Sequence, residues 1–152
     1  MNINSKKTEL TYNAINSLNR LFEIVQKRRA AIAAEVGLTD MQWQVLEEIS
    51  TEHFMPSLFA TKRKSSRAAV SKILKQLTDK GLLDVALNSQ DARVREFFLT
   101  SDGENIMKKI RASREDAILE IWMNYSEQQL MDFCEFNEDL IGSMESYLSK
   151  EK

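Results

Sequence analysis

The hydrophobic pattern of the chain leaves the helical period in one place, from Leu82 to Thr100, and this change restricts the folds that are available. On either side, apolar residues recur at steps of three and four, as on one face of an α-helix. Between these limits, the segments LLDVALN and RVREFFLT alternate or cluster β-compatible residues around the turn-forming residues NSQD. The sequence therefore predicts a mainly α-helical chain with one β-hairpin.

Size and composition are consistent with this outline. A chain of 152 residues with 43% hydrophobic residues suits one domain with a core, and four glycines and one proline favour helices. No apolar run approaches the roughly 20 residues that span a bilayer, and the start MNINSKKTELTY lacks the apolar segment of a signal peptide. We therefore expect a soluble cytoplasmic protein with no membrane partner.

The first two helices are delimited by local signals. Apolar residues at steps of three and four predict a long amphipathic helix from about Thr8 to Ala34, which Gly37 ends. Thr39 is followed by Gln42 at the spacing of a capping box, so a second helix is expected to begin there.

A short third helix and a fourth helix are expected in the middle of the chain. The segment HFMP at 53–56 breaks the second helix, and Ser57 is expected to cap the third. After a turn at Ser65 and Ser66, the fourth helix has an apolar stripe, and Gly81 ends it. The stripe consists of Val70, Ile73, Leu74 and Leu77. The other side of this helix is therefore expected to carry Arg67, Ala68, Ser71, Lys72, Lys75 and Gln76.

Two more helices are expected after the hairpin. Ser101 and Glu104 have capping-box spacing, which predicts a helix that runs to about Tyr125. Ser126 and Gln129 repeat the same pattern before the last helix.

Positive charge is concentrated in the middle of a chain whose formal net charge is −2. Residues 61–77 contain no Asp or Glu, whereas residues 115–152 contain ten acidic residues and two lysines. Such polarity suits a protein that presents one face to a polyanion. The basic residues of the run are Lys62, Arg63, Lys64, Arg67, Lys72 and Lys75.

Five motifs follow one another in a fixed order along the chain. They are LTDMQWQVL at 38–46, LFA at 58–60, SRAAVSKILKQLTDKGLL at 66–83, DAR at 91–93 and LTSDG at 99–103. This ordered set resembles the MarR-type (multiple antibiotic resistance regulator) winged helix-turn-helix transcription factors. The resemblance covers residues 38–103, and the terminal helices agree in length and position.

The resemblance implies a fold and a function. The expected fold is mainly α with a small β-hairpin wing (α+β), a winged helix-turn-helix with long N- and C-terminal dimerisation helices. It divides the chain into an N-terminal dimerisation helix (1–37), a DNA-binding lobe (38–103) and C-terminal dimerisation helices (104–152). The implied partners are double-stranded DNA and a second copy of the chain. The implied function is that of a repressor on a pseudopalindromic operator, which a small-molecule effector relieves.

Candidate DNA contacts follow from the residues and from the resemblance together. Early side chains of a recognition helix enter the major groove first, so Arg67, Ser71 and Lys72 are expected at base edges or nearby phosphates. The resemblance implies that Arg93 at the wing tip reaches the minor groove, and that Asp91 helps to hold the wing. The full candidate set is Lys62, Lys64, Ser66, Arg67, Ala68, Ser71, Lys72, Lys75, Asp91, Arg93 and Arg95.

Each of these assignments has a plainer alternative. The basic run could be a solvated helix face, and Ser66 could cap the helix instead of contacting phosphate. Asp91 and Arg93 could be a turn residue and a surface charge. As a whole, the winged-helix scaffold could instead serve as a protein-interaction module that does not bind DNA.

The chain departs from the family pattern at two internal sites. Arg63, Lys64 and Ser65 occupy the turn in which the family usually has aliphatic residues and a glycine. Asp84 and Val85 follow GLL, where the family often has an arginine, so one expected phosphate contact is missing. The start of the chain also lacks the reactive cysteine of the peroxide-sensing branch.

Other chemistry has little support in the sequence. The single cysteine, Cys134, excludes an intramolecular disulfide and is expected to be buried on the last helix, with a redox role as the alternative. His53 has no second ligand at metal-binding spacing, and no cofactor is implied. No phosphate-binding loop or catalytic pairing is present, so we expect no enzyme activity. Trp43, Trp122 and Phe133 are expected in the core or an interface.

Overall fold

The computed structural model describes residues 5–51, 54–91 and 93–150, and it is mainly α-helical with one antiparallel hairpin. The chain divides after Arg111 into two compact units. The predicted fold class is confirmed. The elements are α1 (Ser5–Glu35), α2 (Asp40–Ile49), α3 (Pro56–Lys62), α4 (Arg67–Asp79), β1 (Leu83–Leu87), β2 (Arg95–Leu99), α5 (Ser101–Glu120), a short 3₁₀ turn (Trp122–Asn124) and α6 (Glu127–Lys150).

The predicted signals between α1 and α2 are confirmed. Gly37 has φ +72°, and the N–H of Leu38 donates to the carbonyl of Ala33 at 2.8 Å, as in a Schellman helix end. Thr39 then forms the expected capping box, in which its side-chain oxygen accepts from the N–H of Gln42 at 3.2 Å. The amide oxygen of Gln42 accepts from the N–H of Thr39 at 3.0 Å. Two consecutive helix ends are therefore satisfied locally.

The predicted cap of α3 is wrong, because Met55 and not Ser57 precedes the helix. Pro56 is the first helical residue, and the ring of proline presets a helical φ while its missing N–H removes one donor that would need a cap. The Met55 side chain makes no capping hydrogen bond. His53, part of the predicted break, lies outside the described residues.

The predicted start and end of α5 are also wrong. Its cap is Thr100 and not Ser101, because the Thr100 hydroxyl accepts from the N–H of Gly103 at 3.1 Å and donates to the carbonyl of Gly81 at 2.6 Å. The second bond joins residues that are 19 positions apart, so the spacing of neighbouring residues does not predict it. α5 ends at Glu120, before the expected Tyr125. The capping box that precedes α6 is confirmed, since Ser126 and Gln129 exchange hydrogen bonds of 3.2 and 3.0 Å.

The hairpin pairs β1 with β2 in antiparallel register, from Leu83 opposite Leu99 to Leu87 opposite Arg95. It follows α4 directly because Gly81, at φ +72°, reverses the chain. The base of the hairpin is buried, whereas its tip extends into solvent.

The core lies in the unit that ends at Arg111. It collects the apolar sides of α2, α3 and α4, together with the end of α1, the base of the hairpin and the first turns of α5. Burial of this kind stabilises a fold in proportion to the apolar area removed from water. The largest fully buried side chains are Phe59, Leu46, Leu77, Leu83, Met107, Ile110, Val45 and Val70.

The long helices expose apolar side chains. On α1, Leu10 and Phe22 are about 60% exposed, and on α6, in the other unit, Phe136 and Tyr147 are 64% exposed. None of the described residues of α6 is buried. Cys134 is exposed as well, so its expected burial is wrong for a single chain. Within the parts of the chain that the structure describes, no helix has the length and apolar character needed to cross a membrane.

A close backbone contact explains why the motif LTSDG ends in a glycine, Gly103. A Cβ atom at this position would lie 2.3 Å from the carbonyl oxygen of Leu82, a distance that real Cβ contacts do not reach. Since the clash is with backbone, α5 and the start of β1 would have to move apart. Glycine therefore permits the close approach of α5 to the base of the hairpin.

We expect Gly103→Ala to lower the free energy of unfolding by about 1–3 kcal/mol, because overpacking forces the backbone to shift. Urea unfolding followed by circular dichroism measures the change. Gly142→Ala is the matched control, since a Cβ there meets nothing within 4 Å and alanine favours helix over glycine by roughly 0.5–1 kcal/mol. Equal stability of Gly103→Ala and the parent would contradict the steric explanation.

Candidate nucleic-acid interface

The two sides of α4 differ as the sequence predicts. Val70, Leu74 and Leu77 are buried and Ile73 is half-buried, so the apolar stripe faces the core. Since that side is held inward, the opposite side must face solvent. The outward residues Arg67, Ala68, Ser71, Lys72 and Lys75 are all exposed.

Ser66 caps α4. Its side-chain oxygen accepts from the N–H of Ala69 at 3.0 Å, and the backbone of Ser66 is extended, as is usual for a residue that precedes a helix. The capping role is therefore present in the free protein. A contact of Ser66 with phosphate stays a prediction.

The turn between α3 and α4 places Lys64 in a conformation that favours glycine. Lys64 has φ 51°, and the N–H of Ser65 donates to the carbonyl of Ala60 at 2.8 Å. The turn therefore holds a lysine in the left-handed region, without a glycine. Phe59 and Ala60 remain buried, so the basic turn does not prevent α3 from packing.

The wing tip is organised by side-chain hydrogen bonds to the backbone. The Asn88 side-chain oxygen accepts from the N–H groups of Gln90 (2.7 Å) and Asp91 (3.0 Å). The Asp91 carboxylate then accepts from the N–H of Arg93 at 3.0 Å. Asp91 thus holds the backbone at Arg93. Arg93 and Arg95 are exposed.

Asn88 is a wing residue that the candidate set omits. Besides its bonds in the turn, its backbone N–H donates to the carbonyl of Val94 at 2.9 Å, and its side-chain amide donates to the Glu96 carboxylate. The signal in the sequence was the segment NSQD, because Asn at the start of such a turn commonly bonds the backbone two residues later.

Two of the candidate lysines are paired with acids in the free protein. Lys75 Nζ lies 3.0 Å from a carboxylate oxygen of Asp79, and Lys62 Nζ lies 3.7 Å from one of Glu48. Both lysine side chains are mostly exposed, and exposed ion pairs contribute only about 0–1 kcal/mol. These acids therefore compete weakly with a phosphate group. The Lys75–Asp79 spacing of four residues could have been read from the sequence, whereas the Lys62–Glu48 contact could not.

A cleft of about 1270 Å³ lies between α4, the wing and the segment that joins the end of α2 to the start of α3. Ser71 and Lys75 of α4 and Arg93 and Arg95 of the wing line the same cleft, so the structure brings together candidates from two segments. The other candidates lie outside its lining. These are Lys62, Lys64, Ser66, Arg67, Ala68, Lys72 and Asp91.

A metal centre is not apparent in the described residues, because no group of three or more His, Cys, Asp or Glu side chains is suitably placed there.

Helix α2, the short α3, the capped α4 and a two-stranded hairpin define a winged helix-turn-helix protein. The sequence pattern of the MarR family matches residues 36–94, from the end of α1 to the wing tip.

One similar protein is a transcriptional regulator. The transcriptional regulator AdcR of Streptococcus pneumoniae is 34% identical over 86 residues. That match covers 57% of this chain and 59% of AdcR, so it spans about three fifths of the length of the relative.

Solved structures share the fold at low sequence identity. The MarR family transcription regulator SP03579 is 23% identical and superposes with a TM-score of 0.82, covering 97% of this chain and 98% of its own. A mutant of S. aureus MepR bound to an oligodeoxyribonucleotide is 16% identical, with a TM-score of 0.61 and coverage of 86% and 97%.

We expect Lys64→Gly to raise the free energy of unfolding by about 0.5–1 kcal/mol, because relief of the left-handed strain exceeds the entropy cost of glycine. Arg63→Gly is the control, since it removes the same charge from the same turn at φ −94°. Arg63→Gly should lower stability in the same urea titration. If Lys64→Gly is less stable than the parent, backbone strain at Lys64 is not what limits the stability of this turn.

We expect Ser66→Ala to lower the free energy of unfolding by about 1 kcal/mol through loss of the cap on α4. Ser66→Asn retains a side-chain oxygen that can accept from the N–H of Ala69, so it should restore most of that stability. Thermal unfolding of the two variants beside the parent measures the difference. Equal losses in both variants would show that the cap does not stabilise α4.

Proposed function

We propose that this chain is a MarR-type DNA-binding transcriptional regulator that acts as a homodimer on a pseudopalindromic operator. The observation that carries the proposal is the convergence of α4 and the wing, since Ser71, Lys75, Arg93 and Arg95 line one cleft. A helix and a hairpin that present cations on the same side match the way in which a winged helix contacts both grooves of a duplex.

Helix α4 supplies the groove-reading side chains in this proposal. Arg67, Ser71 and Lys72 are exposed in its first two turns, and they reach base edges or adjacent phosphates in the major groove. Ala68, exposed beside them, can contact a thymine methyl group.

The remaining candidates position the protein on the backbone or in the minor groove. Exposed lysines neutralise phosphates without reading sequence, and this is the role of Lys62, Lys64 and Lys75. A narrow minor groove attracts a guanidinium, and this is the role of Arg93, whose backbone Asp91 holds. Arg95 adds charge at the same edge of the wing.

Two observations support a homodimer. Most apolar side chains of α1 before its last turn are exposed, and no described residue of α6, considered by itself, is buried. Exposed apolar surface of this extent marks an interaction site. A second copy offers the same surface, and a two-fold dimer matches an operator with two half-sites. The similar MepR mutant was solved with an oligodeoxyribonucleotide, which supports DNA as the ligand.

Regulation in this proposal depends on the distance between the two DNA-binding lobes of the dimer. The two lobes must match half-sites about one helical turn apart, so a ligand that stabilises a different separation of the lobes lowers operator affinity. The protein is then a repressor that a small-molecule effector relieves, acting in the cytoplasm where it meets DNA.

We expect selection from a random DNA pool to recover an inverted repeat whose half-sites are about one helical turn apart. Affinity for that operator should fall by several orders of magnitude when the salt concentration is raised a few-fold, since about four to six phosphates are neutralised per protomer. If binding is absent, or does not depend on salt, the DNA-binding proposal is wrong. The winged-helix scaffold would then be better explained as a protein-interaction module.

We expect Lys72→Ala and Arg93→Ala each to lower operator affinity by about tenfold or more, because each removes a contact of about 1–3 kcal/mol. Lys109→Ala and Arg111→Ala are matched controls, since they remove the same charges from exposed positions of α5. Fluorescence anisotropy at fixed salt compares the four. If both interface variants bind like the controls, the site assignment is wrong even when the parent binds DNA.

A further inference from the structure

The side chain of Gln76 on α4 bonds another helix, unlike the candidate base-contacting residues on the same helix. Its helical position places it on the same side as Lys72 and Lys75, where a base-reading role would be expected. Its side-chain oxygen, however, accepts a hydrogen bond from the side-chain amide of Gln42 at 3.1 Å. Gln42 belongs to α2 and is buried, with 6% of its surface exposed. Gln76 therefore joins α4 to α2.

The direction of this hydrogen bond is set by the cap of α2. The side-chain oxygen of Gln42 already accepts from the N–H of Thr39 at 3.0 Å, as part of the capping box. The NH₂ group of Gln42 must then point toward α4, and it can only donate. Gln76 consequently has to present an acceptor, and a residue with donors alone cannot replace it.

A second polar contact holds the same end of α4. Lys80 Nζ donates to the carbonyl of Gly37 at 2.8 Å, at the corner between α1 and α2. The two contacts join residues that are 34 and 43 positions apart in sequence. The C-terminal half of α4 is therefore attached to the α1–α2 corner, while the N-terminal half carries the candidate base contacts.

These contacts supply a property that the apolar stripe lacks. Burial of Val70, Leu74 and Leu77 is non-directional and tolerates small rotations of the helix about its axis. Side chains extend about 5–6 Å from a helix axis, so a rotation of about 20° moves their ends by about 2 Å. A displacement of that size breaks a hydrogen bond to a base edge. A directional bond on α4 restricts the rotation.

We propose that Gln76 is a positioning residue, which through Gln42 sets the rotation of α4 so that Arg67, Ser71 and Lys72 face the base edges. This inference rests on the proposed DNA-binding function. Gln76 itself touches no base. Its loss should weaken sequence preference at every position of a half-site, whereas loss of a base reader relaxes one position.

The test compares three variants with the parent on its selected operator and on a random duplex. Gln76→Met removes the acceptor, and Gln76→Lys replaces it with donors alone. Gln76→Glu keeps an acceptor for the amide of Gln42. The measured quantity is the ratio of operator affinity to random-duplex affinity, from which a uniform effect of added charge cancels.

We expect Gln76→Met to lower this ratio by about three- to tenfold, the net effect of one hydrogen bond, and to leave the salt dependence of random-duplex binding unchanged. Gln76→Lys should lower the ratio although it strengthens binding to both duplexes. Gln76→Glu should keep the ratio although it weakens both. Repeated selection with Gln76→Met should return a motif that is weaker at all half-site positions.

A double-mutant cycle isolates the pair. Gln42→Met also disrupts the capping box, but adding Gln76→Met to it should lower the ratio no further, because the shared bond is already lost. An unchanged ratio in Gln76→Met, or relaxation at a single base pair, would overturn the inference while leaving DNA binding intact. Absence of any enriched sequence with the parent would instead overturn the proposed function, and the inference with it.

Discussion

The burial of one side of α4 is the interaction on which the rest of the structure depends. Val70 and Leu77 are completely buried, and α2, α3 and the base of the hairpin all contribute to the core around them. An amphipathic helix that is held by its apolar side must turn its polar side outward. The exposure of the basic residues of α4 is thus a consequence of core packing.

Three positive-φ turns connect α1 to α2, α3 to α4 and α4 to β1 with little intervening chain. Gly37 and Gly81 end α1 and α4, and Lys64 occupies the equivalent position after α3. In each turn, the chain reverses while backbone N–H groups satisfy the last carbonyls of the helix. Short connections of this kind leave few ways to arrange the helices. The close approach at Gly103 then sets the hairpin against α5.

Sequence reasoning was accurate where the cause is local and incomplete where it is not. The capping boxes at Thr39 and Ser126 are confirmed because spacing alone defines them. The cap of α5 was misplaced because Thr100 is chosen by a contact with Gly81, which lies far away in sequence. Burial of Cys134 was wrong for a single chain, since an apolar neighbour on a helix does not show what covers that side.

The sequence by itself determined the helical stripe of α4, the basic side opposite it and the presence of a wing, because helical and β periods are properties of neighbouring residues. Only the tertiary structure decided that Gln76 bonds Gln42, and that wing arginines share a cleft with Ser71 and Lys75. These pairings join residues that are distant along the chain. Their distances depend on how whole elements pack, and no local pattern records that.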